Sequence, residues 1–265
     1  LKKKDILDKY IVSNTLIIWD ESHYAQDKHN RPSEIFDHLG IEKHCFSDED
    51  DIGKKNNTFL KENNITLFSV SATPIAELRA NCKSRDKSEY KLIPGEKYKD
   101  VDKHNIEYVY DLKSNLPDTC KRVINRSKYQ GKYIIVRCQK TLGDYLKKLA
   151  YENNGDYTER FQGQGGTGTE VWDIIDNEPT CSGPHIIHIC GRARVGQVLG
   201  DKTGKKYISC CIETSENIKD DTALQGLVGR MCGYHDTQID IIVSEKAKEG
   251  IEEYIRYWKS SNSCI

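Results

Sequence analysis

The chain has 265 residues, enough for one large domain or two modest ones with a sizeable buried core. Hydrophobic residues make up 37% and charged residues 31%, with a formal net charge of -1 and a mean hydropathy of -0.70. That balance excludes the strongly basic class in which charge alone implies nucleic-acid binding, so any such contact must come from local patches.

No apolar run approaches the roughly 20 residues of a membrane helix, so no membrane partner is expected. Leu1-Lys2-Lys3-Lys4-Asp5 is basic but leads into no secretory apolar stretch, and it lacks an initiator Met. The chain therefore reads as trimmed or partial. None of the ten cysteines forms a C-x-x-C pair, and Cys138, Cys190, Cys210 and Cys211 sit in apolar runs. They read as free buried thiols in a reducing compartment, cytoplasmic or nuclear. Zinc at Cys181, His185, His188 and Cys190 is disfavoured, because His185 and His188 fall on opposite faces of a strand.

In chain order, Thr15 to Trp19 is a buried parallel strand ending in Asp20-Glu21. Ser33 to Leu39 and Gly53 to Asn63 read as helices. Ile65 to Val70 is a second buried strand, followed by Ser71-Ala72-Thr73-Pro74. The pattern is that of an α/β sheet with polar residues at its carboxyl edge. Residues 81–128 read as a connector, with a strand at Ile106 to Tyr110 and a helix at Asp118 to Ser127. From Gly131 a second α/β pattern begins. It has strands at Tyr133 to Val136, Ile186 to Cys190, Tyr207 to Ile212 and Ile239 to Val243. Its helices are Leu142 to Tyr151, Thr222 to Met231 and Ala247 to Trp258. The loop Gly163 to Gly168 does not lead from a strand into a helix carrying Lys-Ser/Thr, so it is not read as phosphate-binding.

Three segments carry chemistry. Asp20 and Glu21 present two acids at a strand end; the first suits a metal ion on a triphosphate and the second suits an attacking water. Ser71 and Thr73 bring hydroxyls to the same sheet edge. Gln225-Gly226-Leu227-Val228-Gly229-Arg230 offers a guanidinium beside a glycine, suited to charge building on phosphates.

In this order the segments resemble the superfamily 2 helicases of the DEAD/DEAH-like kind. Asp20-Glu21-Ser22-His23 is similar to the family's Walker B box, Ser71-Ala72-Thr73 to its Ser-Ala-Thr motif, and Gln225 with Gly229-Arg230 to motif VI. Gly191-Arg192-Ala193-Arg194-Val195-Gly196 is similar to motif V. The resemblance spans residues 15–245. It implies an α/β fold of two RecA-like parallel-sheet domains, the first incomplete: residues 1–80, then the connector, then 129–265. It further implies ATP and Mg²⁺ in an interdomain cleft. Asp20 would hold Mg²⁺ through water and Glu21 would activate the attacking water. His23, Ser71 and Thr73 would couple nucleotide state to strand binding. Gln225, Arg230 and Gly196 would meet the nucleotide, and Arg192 and Arg194 the phosphate backbone of the track, DNA rather than RNA.

The chain departs from the family pattern in several places. No G-x-x-x-x-G-K-[ST] precedes Asp20. Gln225 lies one residue further from Gly229-Arg230 than usual, Gly233 stands where a second Arg is usual, and Gln197 stands where Lys or Thr is common. The expected function is an ATP-dependent helicase or translocase, this polypeptide alone being inactive for want of a P-loop. The alternatives are a packaging-motor ATPase with a C-terminal nuclease and a non-enzymatic nucleic-acid-binding module. The Lys- and Asn-rich composition points to an AT-rich genome of viral kind.

Overall fold

The computed structural model describes residues 13–20, 60–70, 91, 93–161, 174–190, 199–200, 203–216 and 224–260. The chain divides into two units, Leu1–Leu92 with Tyr257–Ile265, and Ile93–Arg256.

In the first unit, strands β1 (Thr15–Asp20) and β2 (Ile65–Val70) pair in parallel from Thr15↔Ile65 to Asp20↔Val70. Both strands are apolar runs rich in β-branched and aromatic residues, which suit a pleated surface. The alternation places Leu16, Ile18, Phe68 and Val70 on one face, and all four are exposed, so the expectation of two buried strands is corrected: this face is not covered by the described residues.

The second unit is built on a six-stranded sheet with the order β4-β10-β8-β5-β7-β6. These strands are β4 (Asn105–Val109), β5 (Tyr133–Arg137), β6 (Asp156–Phe161), β7 (His185–Cys190), β8 (Ile208–Glu213) and β10 (Asp240–Ser244). Every pairing in this sheet is parallel. The protein is thus α/β, as the sequence leads one to expect. A short antiparallel pair, β3 (Tyr98–Lys99) with β9 (Gly233–Tyr234), lies apart from the large sheet. Residues 105–124, within the stretch read as connector, supply β4 and helix α1 (Leu112–Ile124) of this unit.

Parallel sheets need both faces covered, and this one has them. On one face Ile134, Val136, Ile186, Cys210, Ile212 and Ile242 pack against two helices. These are α1, through Leu112, Leu116, Cys120 and Val123, and α2 (Gly143–Glu152), through Leu146, Leu149 and Ala150. On the other face Ile135, Ile187, Ile189, Cys211, Ile241 and Val243 are also sealed from water. Helix α3 (Lys248–Lys259) follows β10.

The strand order locates a switch point. From β5 the chain moves one way, to β6 and β7; from β8 it moves the other way, to β10. The reversal lies between β5 and β8, and open α/β sheets leave a crevice there, outside the carboxyl ends of the strands.

Two expectations about elements are revised. Strand β6 joins the sheet although its sequence, Asp156-Tyr157-Thr158-Glu159-Arg160-Phe161, lacks an apolar run; as an edge strand it pairs only with β7. The stretch 222–231 is not one regular helix. Among its described residues a π-type turn covers Leu224–Val228, with Gly226 outside helical geometry at φ -72° and ψ -127°, and a single 3-10 turn covers Gly229–Met231.

Candidate functional site

The crevice between β5 and β8 is filled by the chain itself. Arg137 ends β5 and Glu213 ends β8. Their register partnership brings them together, and Arg137 Nη1 donates to Glu213 Oε2 at 3.0 Å. The Glu213 side chain is 0% exposed. A carboxylate so deep needs every oxygen occupied, and it has that. Oε2 also accepts the Leu227 backbone N–H at 3.2 Å, and Oε1 accepts that of Ser215 at 2.9 Å. Thr214 ties the two strand ends together, its hydroxyl donating to the Arg137 carbonyl at 2.8 Å.

This pair explains the kink. The Leu227 N–H points to Glu213 rather than up a helix, so the turn lies across the switch point. A Cβ at Gly226 would overlap Arg137 Nη1 and stand 2.9 Å from Glu213 Oε2. A Cβ at Gly229 would overlap the Leu224 carbonyl oxygen. Both glycines are therefore required by close approach. Arg230, half-buried, follows on the 3-10 turn, which the Cys232 N–H closes onto the Gly229 carbonyl at 3.2 Å.

The far end of the turn is held by two histidines. His104 Nε2 and His235 Nε2 both donate to the Met231 carbonyl, at 3.0 and 2.8 Å. Their rings stack at 5.7 Å between centroids. The His104 Nδ1 accepts the Ile239 N–H at 3.3 Å. Burial, with His235 alongside, pushes His104 down to about 4, and burial lowers His235 as well.

A second polar chain runs from Cys138, just after β5, through His188 within β7 to Tyr157 near the amino end of β6. Cys138 Sγ stands 3.2 Å from His188 Nε2, and the Tyr157 hydroxyl 2.9 Å from His188 Nδ1. The spacing resembles a nucleophile and base. Burial, however, pushes the Cys138 thiol up to about 12, so the sulfur is protonated and inert at neutral pH.

Of the residues singled out from sequence, Arg230 is described in full. Gln225 lies in the kinked turn and Asp20 at the carboxyl end of β1, each described by its backbone alone. Glu21, His23, Ser71, Thr73, Arg192, Arg194 and Gly196 lie outside the described residues, as do Gln197 and the loop Gly163 to Gly168. The last described pair is Asp20↔Val70, which sets the first acid and the residue before Ser71 side by side at the carboxyl ends of two adjacent parallel strands. Arg137, His104 and His235 escaped the sequence reading. Arg137 could have been noticed as a cation closing an apolar run; the two histidines carry no local signal. Among the described residues no group of three His, Cys, Asp or Glu side chains could hold a metal ion, and none of the helices is long and apolar enough to cross a membrane. The chain matches no family model and no curated protein sequence.

Proposed function

We propose that the protein is a nucleoside-triphosphate-driven nucleic-acid motor of the superfamily 2 helicase type, acting on DNA rather than RNA, with two RecA-like domains. The observation that carries this reading is the kinked turn whose Gly226 and Leu227 meet the Arg137–Glu213 pair at the switch point of a parallel sheet, with Gly229-Arg230 directly after it. A guanidinium held by a pre-set turn needs little reorganisation when it meets phosphate charge. In this reading Asp20 holds Mg²⁺ through water, Glu21 orients the attacking water, and Gln225, Gly196 and Arg230 meet ATP. His23, Ser71 and Thr73 couple nucleotide state to the track, which Arg192 and Arg194 grip by its phosphates. A reducing compartment, cytoplasmic or nuclear, suits the seven described cysteines, all of them free.

The packaging-motor alternative needs a metal-dependent nuclease with acids open to a metal. Glu213 is closed in by Arg137, Leu227 and Ser215. Glu216 is paired with Lys246 at 3.0 Å and Lys113 at 3.5 Å. Neither favours that reading. The non-enzymatic alternative draws on the lack of G-x-x-x-x-G-K-[ST] in the 265 residues.

The test is binding of short single-stranded DNA and RNA, followed by fluorescence anisotropy across a salt series, with phosphate release from Mg-ATP measured in parallel. Sequence-blind, salt-dependent binding is expected, DNA tighter than RNA. Arg192→Ala and Arg194→Ala should each make the salt slope shallower by about 0.7 on single strands. This polypeptide alone should release phosphate slowly. Loss of all binding even at low salt would overturn the motor and the binding-module readings together; robust Glu21-dependent turnover would rule out the non-enzymatic one.

A further inference from the structure

The turn that carries Arg230 ends on one carbonyl with two imidazole donors. His104 has both ring nitrogens assigned by its partners alone. Nε2 faces a carbonyl oxygen and must carry hydrogen; Nδ1 faces the Ile239 N–H and must not. His104 therefore makes both bonds at once only as the neutral Nε2–H form. His235 donates to the same oxygen from Nε2; its buried Nδ1 makes no hydrogen bond of good geometry, although the Thr237 backbone close to the ring favours a proton on it.

We propose that His104 and His235 form an acid-sensitive clamp on the Gly229–Met231 turn. A proton on His104 Nδ1 would meet the Ile239 N–H head-on and break that bond. A proton on either ring would set an imidazolium against its stacked neighbour.

The described surroundings add to the penalty. From the turn 203–207, Lys205 is buried and disfavours charge on both rings; from β3, Lys99 does the same. The nearby acid, Asp100, is held by the Val101 N–H at 2.7 Å and lies within reach of Cys232 Sγ and the Tyr254 hydroxyl from α3. Burial raises its own proton affinity, and Asp102 beside it raises it further. Asp100 is thus engaged rather than free to stabilise an imidazolium. Tyr98 and Cys232 are kept neutral chiefly by burial. Acid therefore breaks the Ile239 bond to His104 and sets like charges on the two stacked rings, which pushes them apart and loosens the turn they hold before the sheet core unfolds. The clamp stands whether or not Arg230 meets a nucleotide; only its consequence for turnover rests on that reading.

The experiment uses the whole chain and two readouts. Imidazole NMR from pH 8 to 4 should find both rings as neutral Nε2–H tautomers at pH 7.5, each titrating below the ordinary histidine value. Hydrogen exchange of peptides spanning 229–235, corrected for intrinsic rates, should lose up to tenfold protection per pH unit below the ring titration, while β5 peptides hold. His104→Gln and His235→Gln, which keep an amide donor without a titrating ring, should flatten that response. An Nδ1–H tautomer, an ordinary titration, or the same pH response in 229–235 as in β5 would overturn the clamp. The NMR readout on the unmodified chain decides the question even where a variant fails to fold.

Discussion

Arg137 and Glu213 close adjacent parallel strands and meet at 3.0 Å with the carboxylate wholly sealed from water. The pair does two jobs. It neutralises a buried charge, and it turns the Leu227 N–H out of helical register.

Breaking that pair should be costly. Arg137→Met strands an uncompensated buried carboxylate, at about 3–5 kcal/mol. Glu213→Ala strands the Leu227 N–H and the guanidinium together, with a cost of similar size. Urea unfolding of the two variants checks this. Midpoints within error of the parent would mean the pair is not buried as described.

The two glycines of the turn should differ. At Gly226 the overlapping atom is the end of a long side chain, which can give way; at Gly229 it is a backbone carbonyl, which cannot. Gly226→Ala is expected to cost about 1–3 kcal/mol and Gly229→Ala at least as much. Thermal unfolding ranks them, and a silent Gly229→Ala would contradict the backbone contact.

Global stability should fall in acid. His104, His185, His188 and His235 are all lowered, in each case chiefly by burial. The folded state therefore keeps these rings neutral where the unfolded chain already binds protons. Their contribution is fully present above the ordinary histidine value near 6.5. It is lost as pH falls through the folded values, down to about 4 for His104. Urea midpoints measured from pH 8 to 4 should decline through that window, and a flat profile there would refute the assignment.

Thiol chemistry offers an independent check on packing. Burial raises Cys120, Cys138, Cys210 and Cys211, so iodoacetamide at pH 7.5 should leave them unmodified in the native chain. In urea all four should react. Mass spectrometry of tryptic peptides reads the result, and rapid native labelling of Cys210 would mean the central sheet is open.

Much of the α/β frame is legible along the chain, because a buried parallel strand must be a short apolar run. Tyr133 to Arg137 and Asp240 to Ser244 announce themselves this way, whereas Thr15 to Asp20 is an apolar run whose Leu16 and Ile18 stay exposed. Strand β6 does not announce itself, since an edge position tolerates Asp156, Thr158, Glu159 and Arg160. The stretch from Leu224 has helical periodicity, yet the helix fails there because Glu213 claims the N–H of Leu227, 14 residues later, that a helix would have used.

Local pattern thus determined the apolar central strands β5, β7, β8 and β10 and the helices α2 and α3. It could not determine who meets whom. His104 and His235 converge on one carbonyl although 131 residues separate them in the chain. Arg137 finds Glu213 only because β5 and β8 become neighbours. Such pairings depend on strand order, which is settled by how whole faces are buried, and no short window of residues holds that information.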